Sequence, residues 1–207
     1  MTPGGWLAIM ASVGLIAIVE LDGVQVGQMM VSRPLAVGPL LGWFLGIPQT
    51  GLLLGVCGEL LSIDDLPVGN KLPLNVTVAV GAAVLLCGGP WPAGPELALP
   101  LGLGLGWLHQ RLETALRQRR RAFCCRAEER LRNGQEPGIG AMQLAALAQQ
   151  AAVTLAVMAG CVFLVAPAAG VIGARLPESV LDGLQFAWRL APWLGMGVLL
   201  YALRVTP

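Results

Sequence analysis

Charged residues are scarce in this chain. Asp, Glu, Lys and Arg together make up 12% of its 207 residues, whereas hydrophobic residues make up 56%. Because soluble domains usually carry about a quarter charged residues, the composition excludes an ordinary soluble domain. Four apolar runs are expected to be long enough to cross a bilayer, which takes roughly 20 residues in a helix. The sequence therefore predicts an all-α integral membrane protein, a multi-span helical bundle.

Metal ligands and catalytic pairs are also lacking. There is one histidine, His109, and none of the five cysteines belongs to a CxxC pair. Structural zinc takes four Cys or His ligands at characteristic spacings, so we expect no metal site and no cofactor. A lone histidine and no Gly-x-Ser-x-Gly motif leave no nucleophile and base within the spans. We therefore predict no catalytic residues, and an intramembrane enzyme is disfavoured.

The first apolar run lacks the marks of a cleaved signal peptide. No Lys or Arg precedes it and no small-residue cleavage site follows it, so residues 4–20 are expected to be a retained helix. The next apolar stretch, residues 34–61, is too long for one span and contains Pro39 and Pro48, which favour two short segments. Broken helices persist in a membrane only when packed in protein or lining a wet cavity. Further helices are expected at residues 72–88, 96–108, 139–165 and about 179–204.

Positive charge is concentrated in one segment, residues 111–136. It holds eight of the 13 Lys and Arg residues: Arg111, Arg117, Arg119, Arg120, Arg121, Arg126, Arg130 and Arg132. The positive-inside rule predicts that residues 111–132 are cytoplasmic, and Glu-to-Arg pairs at i,i+4 predict that the segment is helical. Because the topology rule already explains this charge, no nucleic-acid partner is expected. The chain is thus interpreted as one transmembrane domain, 1–207: N-terminal spans with a broken-helix site (1–110), a cytoplasmic basic helix (111–136) and C-terminal spans (137–207).

Glycines recur at a spacing of four. They are Gly38 with Gly42 and Gly46, Gly51 with Gly55, and Gly102 with Gly106. This spacing lets helix backbones approach closely in lipid. We interpret it as packing within the chain, with a homo-oligomer face as the alternative.

Polar side chains gather in two clusters where the predicted helices are interrupted. The first comprises Glu20, Asp22, Gln25, Gln28 and Arg33, and the second Gln49, Glu59, Asp64, Asp65, Asn70, Lys71 and Asn75. Ionisable groups within spans usually face a pathway or a solute, and transporters build midplane sites from broken, re-entrant helices. Carboxylates and amides suit a neutral polyol. We predict substrate contacts from Asp22, Gln25, Glu59, Asn70, Lys71 and Asn75, with Arg33, Asp64 and Asp65 as structural or ion-pair candidates.

Each of these residues also has a structural interpretation. Asp64 and Asp65 would form an ordinary turn at the membrane surface, and Glu20 and Asp22 would end the first helix at the interface. Glu59 would pair with Arg33 or Lys71 as a buried bridge. The sequence leaves these alternatives open.

Residues 32–70, with a few positions on either side, carry a recognisable pattern. The matching positions are Asp22 with Gln25, Arg33-Pro34-Leu35, Gly42 with Leu45-Gly46 and Gly51, Glu59-Leu60, and Val68-Gly69 with Pro73. The pattern resembles the IIC membrane component of the mannose/fructose/sorbose family of the bacterial phosphoenolpyruvate:sugar phosphotransferase system. The chain looks like a divergent, C-terminally shortened member.

The resemblance implies a sugar permease subunit in a bacterial inner membrane. It would bind a hexose or related sugar, work with a IID membrane subunit, and present the sugar to phospho-IIB, while the phosphoryl groups are carried by soluble IIA and IIB proteins. It implies no phosphorylation of this chain. The alternative is a non-transporting IIC-like scaffold or regulator that only holds partners.

Overall fold

The computed structural model describes residues 3–23, 26–27, 29–63 and 72–203. Throughout these residues the regular structure is helical. The helices are α1 (Pro3–Asp22), α2 (Pro34–Phe44), α3 (Pro48–Leu61), α4 (Val76–Gly88), α5 (Pro95–Arg132), α6 (Ile139–Gly160), α7 (Ala166–Gly173) and α8 (Glu178–Leu203). A π-helical turn, Cys161–Val165, joins α6 to α7. The predicted all-α bundle is confirmed.

Two continuous helical segments meet the length and hydropathy needed to cross a membrane. They are Gly4–Asp22 and Ile139–Gly173, the second formed by α6, the π turn and α7 together. Helices α2 and α4 are apolar but shorter. The first segment confirms the predicted N-terminal helix, and the second extends the predicted 139–165 helix by two turns.

Helices α2 and α3 form a hairpin of the two short segments that the sequence predicted. The break falls before Pro48, as predicted, whereas Pro39 lies inside α2 and does not interrupt it. Pro34 and Pro48 each occupy the first turn of their helix, where a missing backbone N–H costs nothing. The arms are antiparallel and packed backbone to backbone, because a Cβ built on Gly55 would lie 2.6 Å from the carbonyl oxygen of Pro34. The glycine spacing therefore serves packing within the chain at this position.

The hairpin enters and leaves at one end of the bundle. Its tip packs on the end of α4, where a Cβ on Gly88 would lie 2.8 Å from the side chain of Leu45. Its base packs on the start of α4, through Gly58 against Val76. This is a re-entrant arrangement, and we call the end that holds its base the basic end, since α5 carries the arginines of residues 111–132 beyond it.

Helix α5 is one continuous helix of 38 residues. The sequence predicted separate helices at 96–108 and 111–136, but no Gly or Pro interrupts the chain between His109 and Arg132, so the helix continues. At 1.5 Å per residue it spans roughly 57 Å. A hydrocarbon core is about 30 Å thick, so α5 must project from it. The helix ends at Arg132, before Gly134, whose φ of 70° is left-handed.

Helix α4 is the centre of the bundle. Apart from the half-buried Thr77, its residues from Val76 to Leu86 are buried, and the helix packs against α1, α2, α3, α5 and α6. Gly102 and Gly106 of α5 approach its backbone closely, at the Ala79 carbonyl and the Asn75 carbonyl. The position of Asn75, at the start of α4, is therefore fixed by all of these neighbours.

Candidate functional site

The carboxylate of Asp22 organises the connection between α1 and α2. It ends α1 and accepts hydrogen bonds from the backbone N–H groups of Met29 (2.8 Å), Val31 (2.9 Å) and Ser32 (3.3 Å). Met30 takes a left-handed backbone conformation with φ 63° within this turn. Three donated hydrogen bonds leave the carboxylate little further capacity. In this structure Asp22 therefore acts as the end of the first helix, the structural alternative left open by the sequence.

Arg33 and Glu59 meet at the base of the hairpin. The Arg33 guanidinium lies 3.2 Å from a Glu59 carboxylate oxygen, and the other Glu59 oxygen accepts from the Leu35 N–H at 3.4 Å. The pair joins α3 to the start of α2, yet its side chains are 54% and 28% exposed. Ion pairs this accessible usually contribute about 0–1 kcal/mol to folding stability. A need for stability therefore does not explain why this pair is present. The bridge predicted between these residues exists, but it is open rather than buried.

The base of the hairpin is tied to the start of α4. The Thr77 hydroxyl donates a hydrogen bond to the carbonyl of Ser32, the residue before Arg33. Gly58, the residue before Glu59, packs on Val76 and Val80. The start of α4 thus contacts the residue that precedes each member of the Arg33–Glu59 pair.

A buried polar cluster lies beside this position, at the same end of the bundle. Its buried members are Glu20, His109, Glu113, Gln150 and Thr154, contributed by α1, α5 and α6. Glu20 accepts hydrogen bonds from Asn75 Nδ2 (3.2 Å), Gln150 Nε2 (3.0 Å) and Thr154 Oγ1 (3.3 Å). Three donors converging on one carboxylate are what a buried acceptor requires.

Asn75 and His109 complete the cluster. Asn75 Oδ1 accepts from the Val78 N–H at 3.0 Å and so caps α4, while Asn75 Nδ2 lies 3.1 Å from His109 Nδ1. On its other side His109 Nε2 lies 3.0 Å from Thr154 Oγ1. Both hydrogens of the Asn75 amide are therefore engaged within the protein. The sequence placed Asn75 among the substrate contacts, whereas the structure gives it an internal partner for each hydrogen.

The cluster continues towards the arginines of α5. Arg120 donates to Gln150 Oε1 at 3.1 Å, and Arg117 pairs with Glu113 at 2.7 Å. Sequence reasoning treated His109 only as a residue beside the basic segment and gave no role to Gln150 or Thr154. The sequence did contain a signal for this cluster: Gln150 and Thr154 are polar residues in an apolar run, and at a spacing of four they share one face of a helix.

Donor atoms of Glu20, His109 and Glu113 lie within 4.8 Å of one another, close enough for a metal ion. However, both His109 nitrogens and both Glu20 oxygens already have hydrogen-bond partners. A metal would have to displace Asn75 or Thr154. The donor set therefore fits a hydrogen-bond network better than a metal centre.

The remaining residues predicted for the site lie outside the described residues: Gln25, Asp64, Asp65, Asn70 and Lys71. At the other end of the bundle, a cavity of about 260 Å³ is lined by Glu96 and by small and apolar residues such as Gly94, Leu97 and Ala169. None of the described residues predicted to bind substrate lines it.

Comparison with known proteins gives a consistent result. A family model described as the sorbose-specific IIC component of the PTS system matches residues 7–206. A chain from a structure described as that of a membrane protein is similar in fold, with a TM-score of 0.76 and 21% identity, over 99% of this chain and 81% of the other. A chain of the cryo-EM structure of the mannose transporter ManYZ with microcin E492 (MceA) has a TM-score of 0.68 and 19% identity, with the same coverage of 99% and 81%. The curated proteins gave no significant match.

Proposed function

The chain belongs to the family of sorbose-specific IIC components of the phosphotransferase system, and we propose that it is a sugar permease subunit that binds and translocates a hexose or related sugar while a IIB partner phosphorylates it. The IIC components are membrane transport subunits.

The observation that carries the proposal is the open Arg33–Glu59 pair at the base of the re-entrant hairpin. A sugar hydroxyl both donates and accepts, so a carboxylate and a guanidinium side by side can satisfy it from both directions. Because both side chains are partly exposed, each can give up its contact with the other and bind a ligand instead. Broken helices with a few polar groups are the usual construction of a transporter site.

The position of the basic end supports a proposed orientation of the chain in the membrane. Residues 111–132 project there, and the positive-inside rule favours the cytoplasmic face of a bacterial inner membrane for such a segment. The Arg33–Glu59 pair lies at the same end, where a sugar could be presented to phospho-IIB. A IID subunit is proposed as the membrane partner, since the mannose transporter with the similar fold is the assembly ManYZ. In this proposal IIA passes a phosphoryl group to IIB and does not contact the sugar.

The test is uptake of labelled hexoses in cells that supply the other components. Glu59→Gln keeps the shape but loses the charge, and Glu59→Ala removes the acceptor altogether. Both should reach the membrane in normal amount and lose uptake, because the lost contact costs roughly 1–3 kcal/mol, or about tenfold to a hundredfold in affinity. Wild-type uptake by Glu59→Ala would remove Glu59 from the site.

A charge-reversed pair separates a sugar site from a structural bridge. Arg33→Glu combined with Glu59→Arg keeps an ion pair with its sign reversed. We expect this double variant to be present in the membrane yet inactive. If it recovers uptake that the single variants lose, the pair is structural and the proposed site is wrong.

A further inference from the structure

The oxygen and nitrogen of the Asn75 amide can be assigned from a backbone contact. Its Oδ1 accepts from the Val78 N–H, so the nitrogen of the same amide must point the other way, towards Glu20 and His109. Amide and imidazole assignments are normally inferred from such networks, and here a backbone donor fixes one of them. Asn75 Nδ2 therefore donates to His109 Nδ1.

This fixes the protonation of His109. A nitrogen that accepts a hydrogen bond carries no proton, so Nδ1 is bare and the proton of the neutral ring is on Nε2. Nε2–H then donates to Thr154 Oγ1, whose own hydrogen can go to Glu20 Oε2 at 3.3 Å or to the Gln150 carbonyl at 3.2 Å. His109 and Thr154 are fully buried, so water cannot replace these partners.

We infer that His109 is a positioning residue for the Arg33–Glu59 site: its bare Nδ1 holds the Asn75 amide in the orientation that caps α4. The cap fixes the first turn of α4, and Thr77 in that turn holds the carbonyl of Ser32, next to Arg33. Gly58, the residue before Glu59, packs on Val76 and Val80 of α4. His109 thus acts on the site through Asn75 and Thr77 without touching a ligand.

The groups facing His109 come from every neighbouring helix. They are Glu20 on α1, Asn75 before α4, Glu113 on its own helix, and Gln150 and Thr154 on α6, with Arg117 and Arg120 beyond Glu113 and Gln150. Only Asn75 contacts Nδ1 as a donor among the described residues. The inference therefore predicts one specific tautomer, and it can be tested without any sugar.

The first experiment uses the fact that the chain has a single histidine. The full chain, purified with a tag that contains no histidine, is labelled with ¹⁵N-histidine, and its two ring nitrogens are read by NMR at neutral pH. We expect one unprotonated nitrogen at Nδ1 and one N–H at Nε2. A proton on Nδ1, in either the other neutral tautomer or the imidazolium, would overturn the inference.

The second experiment measures sugar uptake, and so it rests on the proposed function. In His109→Asn the side-chain oxygen takes about the place of Nδ1 and can still accept from Asn75. His109→Gln instead places its amide near Nε2, which leaves Asn75 Nδ2 with Glu20 alone as its acceptor. We expect His109→Asn to keep the wild-type KM and His109→Gln to raise it about threefold to tenfold, with little change in maximal rate. Thr114→Val, on an exposed face of α5, is the matched control and should change nothing.

The possible failures are distinguishable. Equal loss in the Asn and Gln variants, or a wild-type KM in the Gln variant, overturns the positioning role. If the wild-type chain takes up no sugar, the proposed function fails, and the tautomer measurement still decides whether His109 holds Asn75.

Discussion

Gly38 and Gly51 face each other across the α2–α3 hairpin with no space for a side chain between them. A Cβ added to either residue would fall on the carbonyl oxygen of the other. The backbone of one arm therefore rests directly on the backbone of the other. This contact holds the two arms at the separation that lets Arg33 reach Glu59 at their base.

Gly38→Ala is expected to destabilise the protein. The new methyl meets rigid backbone rather than a flexible side chain, and overpacking of this kind costs about 1–3 kcal/mol. Thermal unfolding of the purified chain in detergent should show a lower midpoint. Gly104→Ala is the control, because nothing lies within 4 Å of a Cβ there, and its midpoint should stay the same or rise. Equal midpoints for wild type and Gly38→Ala would contradict the packing described for the hairpin.

The topology can be tested with single cysteines in a background that lacks the native ones. A cysteine at Gln118, exposed on the basic part of α5, should resist an impermeant thiol reagent in intact cells and react after the membrane is opened. Pro92→Cys, in the exposed turn at the other end of α5, should react in intact cells. The reverse labelling pattern would invert the proposed orientation.

Glu20→Gln should destabilise the bundle even though it removes a charge from the interior. Asn75, Gln150 and Thr154 all donate to Glu20, so the new amide NH₂ would face a donor. An unsatisfied buried polar group costs about 1–3 kcal/mol. The measurement is again the unfolding midpoint, with exposed Glu178→Gln as the control. Unchanged stability of Glu20→Gln would contradict the three hydrogen bonds described for Glu20.

Co-expression with a IID subunit should yield a detergent-stable complex. Helix α8 presents a broad apolar surface through Phe186, Trp193, Leu194 and Tyr201, all more than half exposed. Such a face can be covered by lipid or by a helix of a partner subunit, and the prediction is that a IID helix covers it. Replacing Leu194 with Trp, which enlarges this surface, should reduce recovery of the complex more than the same change at Leu7, exposed on α1. Purification of this chain always alone would favour a role without IID.

Local sequence predicted much of the helical architecture. Apolar runs marked the spans, Pro48 marked where the second hairpin arm begins, and the glycines marked where the arms touch. Pro39 was wrongly expected to break the chain, because α2 continues through it. These signals succeed because each acts within a few residues. The continuity of α5 through His109 was missed because the change from apolar to basic composition was interpreted as a boundary between two helices.

The buried cluster could not be predicted in the same way. The Glu20–Thr154 hydrogen bond joins residues 134 apart, and Asn75 meets His109 across 34 residues. No periodicity records such a meeting, since it depends on how the helices pack. Asp22 and Glu59 were found by their polarity, but polarity alone did not show that one holds a turn and the other forms an open pair.

The re-entrant hairpin also determines how the membrane crossings of the chain are counted. Because α2 and α3 begin and finish at one end, they add no net crossing, and the end of α1 and the start of α4 remain on the same side. A count that scores the hairpin as one span would place every later loop on the wrong side of the membrane. Lengthening both arms equally would move only their tip, and the direction of every subsequent helix would be preserved.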